Sequence, residues 1–224
     1  MQRKPKRKAW RVRKDRPEEY IGRPKFYYTE DEIKRYSSSS GVKRAQERIA
    51  ERMHEFLGLE KKGRILDLGC GPGYTASWFA ELGHDVVGLD LLQGMLEKAS
   101  KKGIKTIRSD MRDFSGKLKG KRFDAVISAS ALQWIKNSQD ISEVAGEIYA
   151  VLKNNSKCII QFYPQSSAEM EQVLRVFRKQ GLDGHAKVFN EEDPRKREIY
   201  LILKKKPGEG KKNLKAQNKP SQGD

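Results

Sequence analysis

The chain has 224 residues, 36% of them hydrophobic and 34% charged, which suits one domain of ordinary size with extensions and leaves too little for two independent cores. Its formal net charge of +17 is concentrated at the ends: residues 1–14 carry eight Lys/Arg and no acid, and residues 204–224 carry seven Lys against Glu209 and Asp224. Such arms favour a polyanion, with nucleic acid ahead of an anionic membrane; no run approaches the roughly 20 apolar residues of a spanning helix, and two cysteines make neither a disulfide framework nor a zinc site.

Residues 1–16 read as a disordered basic arm. Phe26 to Tyr36 is rich in aromatic residues and runs into Ser37-Ser38-Ser39-Ser40-Gly41, which reads as a flexible joint. Val42 to Leu57 follows a helical pattern, with Ala45, Ile49, Met53, Phe56 and Leu57 on one stripe and Gly58 as its stop. From there strands and helices alternate. Strands are expected at Arg64–Leu68, Asp85–Asp90, Lys105–Ser109, Phe123–Ser128 and Lys157–Tyr163, a short one ends at Val188, and a last one spans Glu198–Leu203. Helices are expected at Tyr74–Leu82, Leu92–Lys101, Ile141–Leu152 and Ser167–Gln180. Regular alternation of this kind means βαβ units and a doubly wound, mostly parallel sheet of seven strands. Past Pro207 the Lys/Gly/Asn/Gln-rich tail cannot bury enough apolar surface to fold alone.

The chemistry centres on Asp67-Leu68-Gly69-Cys70-Gly71-Pro72-Gly73, between the first strand and the next helix. Glycines there permit a sharp turn and close approach of backbone to ligand, at the strand ends where open α/β sheets bind ligands. Asp90 ends the second strand, where a carboxylate can accept from two ribose hydroxyls; Asp110 and Met111 end the third, an acid for an adenine amino group and an apolar flank for the ring. A dinucleotide site is the rival reading, but its fingerprint is G-x-G-x-x-G, whereas these glycines run G-x-G-x-G behind an acid. That acid suits the positive amino-acid end of a sulfonium cofactor. The order of elements over residues 60–203 resembles the class I (Rossmann-like) methyltransferases, which implies S-adenosylmethionine as cofactor.

For the methyl acceptor, the fourth strand ends in Ser128-Ala129-Ser130-Ala131-Leu132-Gln133-Trp134, without the Asn/Asp-Pro-Pro-aromatic turn of adenine amino methylases. Cytosine C5 methylation needs a thiolate, and Cys70 and Cys158 read as loop and core residues. His54, His84 and His185 are isolated, and no His/Asp or paired-carboxylate constellation suggests a strong base. A ring nitrogen with a free lone pair, such as guanine N7, needs none.

Two further segments carry a closer resemblance. Arg16-Pro17-Glu18-Glu19-Tyr20 leads through Phe26-Tyr27-Tyr28 and Glu30-Asp31-Glu32 to Tyr36 and a helix with Glu51-Arg52, and Gln161-Phe162-Tyr163-Pro164-Gln165 follows the fifth strand. With Gly83-His84 and the glycine loop, these resemble the small-subunit ribosomal RNA guanine-N7 methyltransferases, the family known in yeast for a bud-site-selection defect. Departures are the Ser38–Gly41 run, where that family has an Asn and an Arg, a shorter C-terminal tail and an extra basic N-terminal arm; they point to an archaeal relative acting on ribosomal or transfer RNA.

The expected organisation is a basic arm over residues 1–16, a lid and helix over 17–59, a cofactor domain over 60–206 and a Lys-rich tail over 207–224. The resemblance implies a cofactor site of Tyr28, Tyr36, Asp67, Gly69, Cys70, Gly71, Gly73, Asp90, Leu91, Met95, Asp110, Met111 and Ser128. The acceptor pocket would hold Gln133, Trp134, Phe162 and Tyr163. It also implies a role in ribosome biogenesis in the cytoplasm, or in the nucleus of a nucleated cell, and a small zinc-ribbon activator protein as partner. The third strand, at a sheet edge in the usual strand order, could accept such a partner by strand addition. Small-molecule methylation, as in quinone biosynthesis, would leave the basic arms without a role.

Overall fold

The computed structural model describes residues 10–11, 16–193 and 196–207. The rest of the basic N-terminal arm and the Lys-rich tail beyond residue 207 lie outside the described residues. Three residues assigned to a disordered arm, Trp10, Arg11 and Arg16, are instead seated, the last by donating to Tyr163 O. Trp10 N–H donates to Ser167 Oγ and Trp10 O accepts from Ser167 N–H, Arg11 bridges to Ser166, and the Trp10 indole packs on the core.

Four helices precede the sheet: α1 (Pro17–Tyr20), α2 (Pro24–Tyr27), α3 (Glu30–Ser38) and α4 (Ser40–Leu57). Proline opens the first two, where a missing N–H costs nothing. The serine run is tighter than a flexible joint. Ser37 and Ser38 complete α3, and Ser39 alone is extended between the helices, with its hydroxyl accepting from Val42 N–H to cap α4. Gly58 stops α4 in the left-handed conformation.

Seven strands follow: β1 (Arg64–Leu68), β2 (Asp85–Asp90), β3 (Lys105–Arg108), β4 (Phe123–Ala129), β5 (Leu152–Phe162), β6 (Leu182–Phe189) and β7 (Glu198–Lys205). Their order is β3-β2-β1-β4-β5-β7-β6, with β7 antiparallel to both neighbours and β1 to β5 parallel. The chain runs outward from β1 to the edge strand β3 and returns to place β4 on the other side of β1. That reversal opens a crevice at the carboxyl ends of β1 and β4, the ligand position of open α/β sheets. Helices α5 (Tyr74–Glu81), α6 (Gln93–Ser100), α7 (Ser138–Val151) and α8 (Ser167–Lys179) are the connections. β5 begins five residues before the expected Lys157, because Leu152, fully buried, turns extended and pairs with Phe123.

The period-two alternation of each strand feeds two cores. Ile65, Val86, Ala125, Ile127 and Ile159 face Ile49 and Met53 of α4 and Phe79 of α5. Leu66, Leu68, Val126 and Ile160 face Ile148 of α7 and Phe177 of α8. Phe162 shares the latter face. It departs from the expectation of an acceptor-pocket residue: its ring is 1% exposed, because it stands two residues beyond Ile160 on the same pleat. Phe162→Ala should therefore cost about 3–5 kcal/mol of stability, read as a shift in urea-unfolding midpoint with the slope unchanged.

Candidate active site

The loop after β1 turns on three glycines with positive φ, which do two different jobs. At Gly69 (φ +70°) an added Cβ would lie 2.4 Å from the Ala131 Cβ, and at Gly73 (φ +81°) 2.9 Å from that of Ala99, so both serve close packing. Gly71 (φ +52°) has nothing within 4 Å of that position and borders the crevice. Gly69 and Cys70 N–H both donate to Leu89 O at the end of β2, at 2.7 and 2.9 Å. Asp90, next in line, accepts from Gly71 N–H on one oxygen and Leu92 N–H on the other, each at 2.9 Å. The carboxylate thus ties the β1 and β2 loops together and keeps lone pairs for a ligand.

A cavity of about 790 Å³ fills the crevice. It gathers Tyr28, Tyr36, Asp67, Gly69, Cys70, Gly71, Asp90, Leu91, Met95, Asp110 and Met111 of the expected set. Gly73 and Ser128 of that set do not line it. Gly73 packs on α6, and Ser128 is buried in β4, its hydroxyl donating to Leu68 O at 2.8 Å. Each holds the site from behind.

Asp67 is the electrostatic anomaly. Its side chain is buried, and neither carboxylate oxygen makes a well-formed hydrogen bond among the described residues, the nearest donor being the Ala76 backbone amide. Desolvation, reinforced by the charge of Asp90, pushes its pKa up to about 7. Burial likewise raises Asp90. Asp110 moves the other way, held below the usual carboxylate range by Arg112, whose guanidinium donates to both its oxygens at 3.0 and 2.8 Å and reaches on to Asp140 at 2.9 Å. Burial pushes the Cys70 and Cys158 thiols well up, so neither is a ready thiolate.

Over the crevice lie α2 and α3. The Tyr28 ring meets Tyr36 edge-on at 5.8 Å and Trp134 at 5.9 Å; desolvation pushes the Tyr36 hydroxyl up to about 12. Tyr28 and Trp134 also line a second cavity of about 340 Å³, with Trp10, Arg16, Glu18, Tyr27, Gln133 and Tyr163. Two chambers therefore share one aromatic wall. Gln133, Trp134 and Tyr163 come together there as expected, without Phe162. Sequence reasoning missed Ile33, Gln46, Tyr74 and Arg112 in the larger chamber. Ile33 sits on Gly94, and Tyr74 donates its hydroxyl to Ser37 O; only the tertiary approach of α3 and α4 makes them neighbours.

A family model described as a methyltransferase domain matches residues 66–160. The magnesium protoporphyrin IX methyltransferase of Synechocystis PCC 6803, solved with its bound methyl donor, shares the fold: TM-score 0.63 at 17% identity over 83% of this chain and 95% of that one. The 18S rRNA (guanine-N(7))-methyltransferase of Arabidopsis thaliana is 31% identical over 202 residues, 84% of this chain and 69% of the relative. Its counterpart in Schizosaccharomyces pombe is 29% identical over 197 residues, 83% and 73% of the two chains.

Fold and crevice are those of a class I S-adenosylmethionine-dependent methyltransferase. Within that class, the chain belongs to the 18S rRNA (guanine-N(7))-methyltransferase family. The donor set fits the cofactor: an unpaired buried carboxylate for an ammonium, an open glycine at Gly71 and a carboxylate at the end of each of the next two strands.

An ammonium held by Asp67 would need the carboxyl ionised. With its ligand-free pKa at about 7, the carboxyl must release a proton on binding at lower pH. Affinity for S-adenosylmethionine should therefore fall by up to about tenfold per pH unit below that point and level off above it. Calorimetric titration from about pH 5.5 to 8.5 reads this directly, and Asp67→Asn should be weaker and flat.

Proposed function

We propose that the chain transfers the methyl group of S-adenosylmethionine to N7 of a guanine in small-subunit ribosomal RNA during ribosome assembly. The names of the relatives support this substrate, and the observation that carries it is the pair of chambers sharing Tyr28 and Trp134. Asp67, Gly69 and Gly71 would hold the methionine end, Asp90 the ribose, Asp110 and Met111 the adenine, with Leu91, Met95 and Cys70 lining the chamber. Tyr28 and Tyr36 would close over it. When bound, the cofactor supplies an electrophilic methyl group on sulfonium.

The smaller chamber has no histidine or cysteine among its described lining residues. That fits an acceptor whose lone pair is already free, for which the protein's work is in-line alignment and exclusion of water. Tyr27, Tyr28, Trp134 and Tyr163 offer faces on which an unstacked base can sit. No described helix is long and apolar enough to cross a membrane. The place of action would be where small subunits are assembled, the cytoplasm or, in a nucleated cell, the nucleus.

The partner would be a small zinc-ribbon activator pairing with β3. Among the described residues this strand pairs with β2 alone, so its outer backbone groups are open to strand addition. The partly buried Ile107 and the exposed Leu91 add an apolar margin. Co-expression with such a protein should raise the yield and give a one-to-one complex on size-exclusion chromatography, and charged substitutions at Thr106 and Ile107 should abolish it without affecting cofactor binding.

Stacking is worth about 1–3 kcal/mol per base. Tyr163→Ala should lower methyl transfer roughly 10- to 100-fold while sparing cofactor affinity. Borohydride and aniline treatment of the methylated RNA should cleave it at one guanosine. Incorporated label without cleavage would assign another acceptor atom.

A further inference from the structure

The smaller chamber contains a charge that stacking does not use. Glu18 lines it and is 6% exposed, yet no described residue donates a hydrogen bond or ion pair to its carboxylate. The helix it stands on is fixed by its neighbours instead. Arg16 Nη1 donates to Tyr163 O at 2.8 Å, and Glu19 pairs with Lys136. Across the chamber wall Gln133 donates its amide to Ser130 O at 2.9 Å, which fixes the side chain, and its Oε1 is buried without a partner. A fixed amide oxygen and an unpaired carboxylate thus border a chamber that also carries the Arg16 and Arg197 guanidiniums.

We infer that Glu18, seconded by Gln133, reads the Watson–Crick edge of the acceptor base and makes the chamber selective for guanine. The inference rests on the function proposed above and names the residue that sets its specificity. Aromatic faces accept any base, so stacking alone cannot choose. Guanine presents two adjacent donors, N1–H and the N2 amino group, which match the two oxygens of a carboxylate. Adenine presents the N1 lone pair at the same place, and a carboxylate repels it. A chamber built around a buried acceptor rejects a base that leaves the acceptor unpaired much more strongly than an apolar slot rejects a wrong shape. Binding the edge through Glu18 also leaves N7, on the opposite side of the purine, directed away from it.

The test begins with small-subunit RNA carrying the mapped target guanosine, and the same RNA with inosine, which lacks the N2 amino group, ligated in at that one position. Wild-type enzyme should prefer guanosine by about tenfold or more in kcat/KM. Glu18→Gln should lose roughly 100-fold on guanosine, mostly in KM, should discriminate little against inosine, and should bind S-adenosylmethionine as the wild type does. Glu18→Asp should recover part of the preference. A variant that still discriminates like the wild type, or one in which cofactor affinity and unfolding midpoint fall together, overturns the inference and makes Glu18 a structural residue. If no 7-methylguanosine forms at all, the proposed function fails first and takes this inference with it.

Discussion

A carboxylate buried near the end of an interior strand, with no side-chain donor to meet it, governs the rest of the site. Asp67 is held there by the sheet: β1 lies between β2 and β4, so its last residues are covered on both sides. The cost is carried by the fold, and a cation bound there would offset it, which would couple ligand affinity to conformational stability. The glycine loop follows from the same constraint. A chain leaving β1 must turn away at once to keep the carboxylate facing a cavity, and Asp90 secures that turn by accepting the Gly71 amide.

The N-terminal helices convert a cofactor crevice into a two-chambered site. Their apolar content is small, and α3 contributes Ile33 alone to the buried set. They are placed by specific bonds: Arg16 to Tyr163 just past β5, Glu19 to Lys136 and Tyr74 to Ser37. Tyr28 and Trp134 then stand between the two chambers and border both.

The sheet, its edge strand and most of the larger chamber were legible in the sequence, because glycines and acids at strand ends are local signals tied to a strand's last residue. Phe162 was misplaced, although alternation along Ile160, Gln161 and Phe162 carried the correction: residues two apart share a face, so the ring belongs with the core and Tyr163 with the surface. Trp10 lay in a basic run with no periodicity to betray it, and its seat on Ser167 depends on a residue 157 positions away. Gln46 and Tyr74 escaped notice for a similar reason. Thr75 donates to Gln46 at 3.0 Å across the α4–α5 contact, and no local pattern encodes that approach.

The seat of Trp10 has a consequence for how RNA could be gripped. It lines the smaller chamber, with the Arg197 guanidinium over its ring at 4.3 Å, so the chain enters the fold at the chamber's rim. Arg3, Lys4, Lys6, Arg7 and Lys8 precede it. Arg3 is seven residues from Trp10, a tether of at most about 25 Å. A base bound in that chamber would have these cations within a few nucleotides' span, at a local concentration around the flanking phosphates set by chain length.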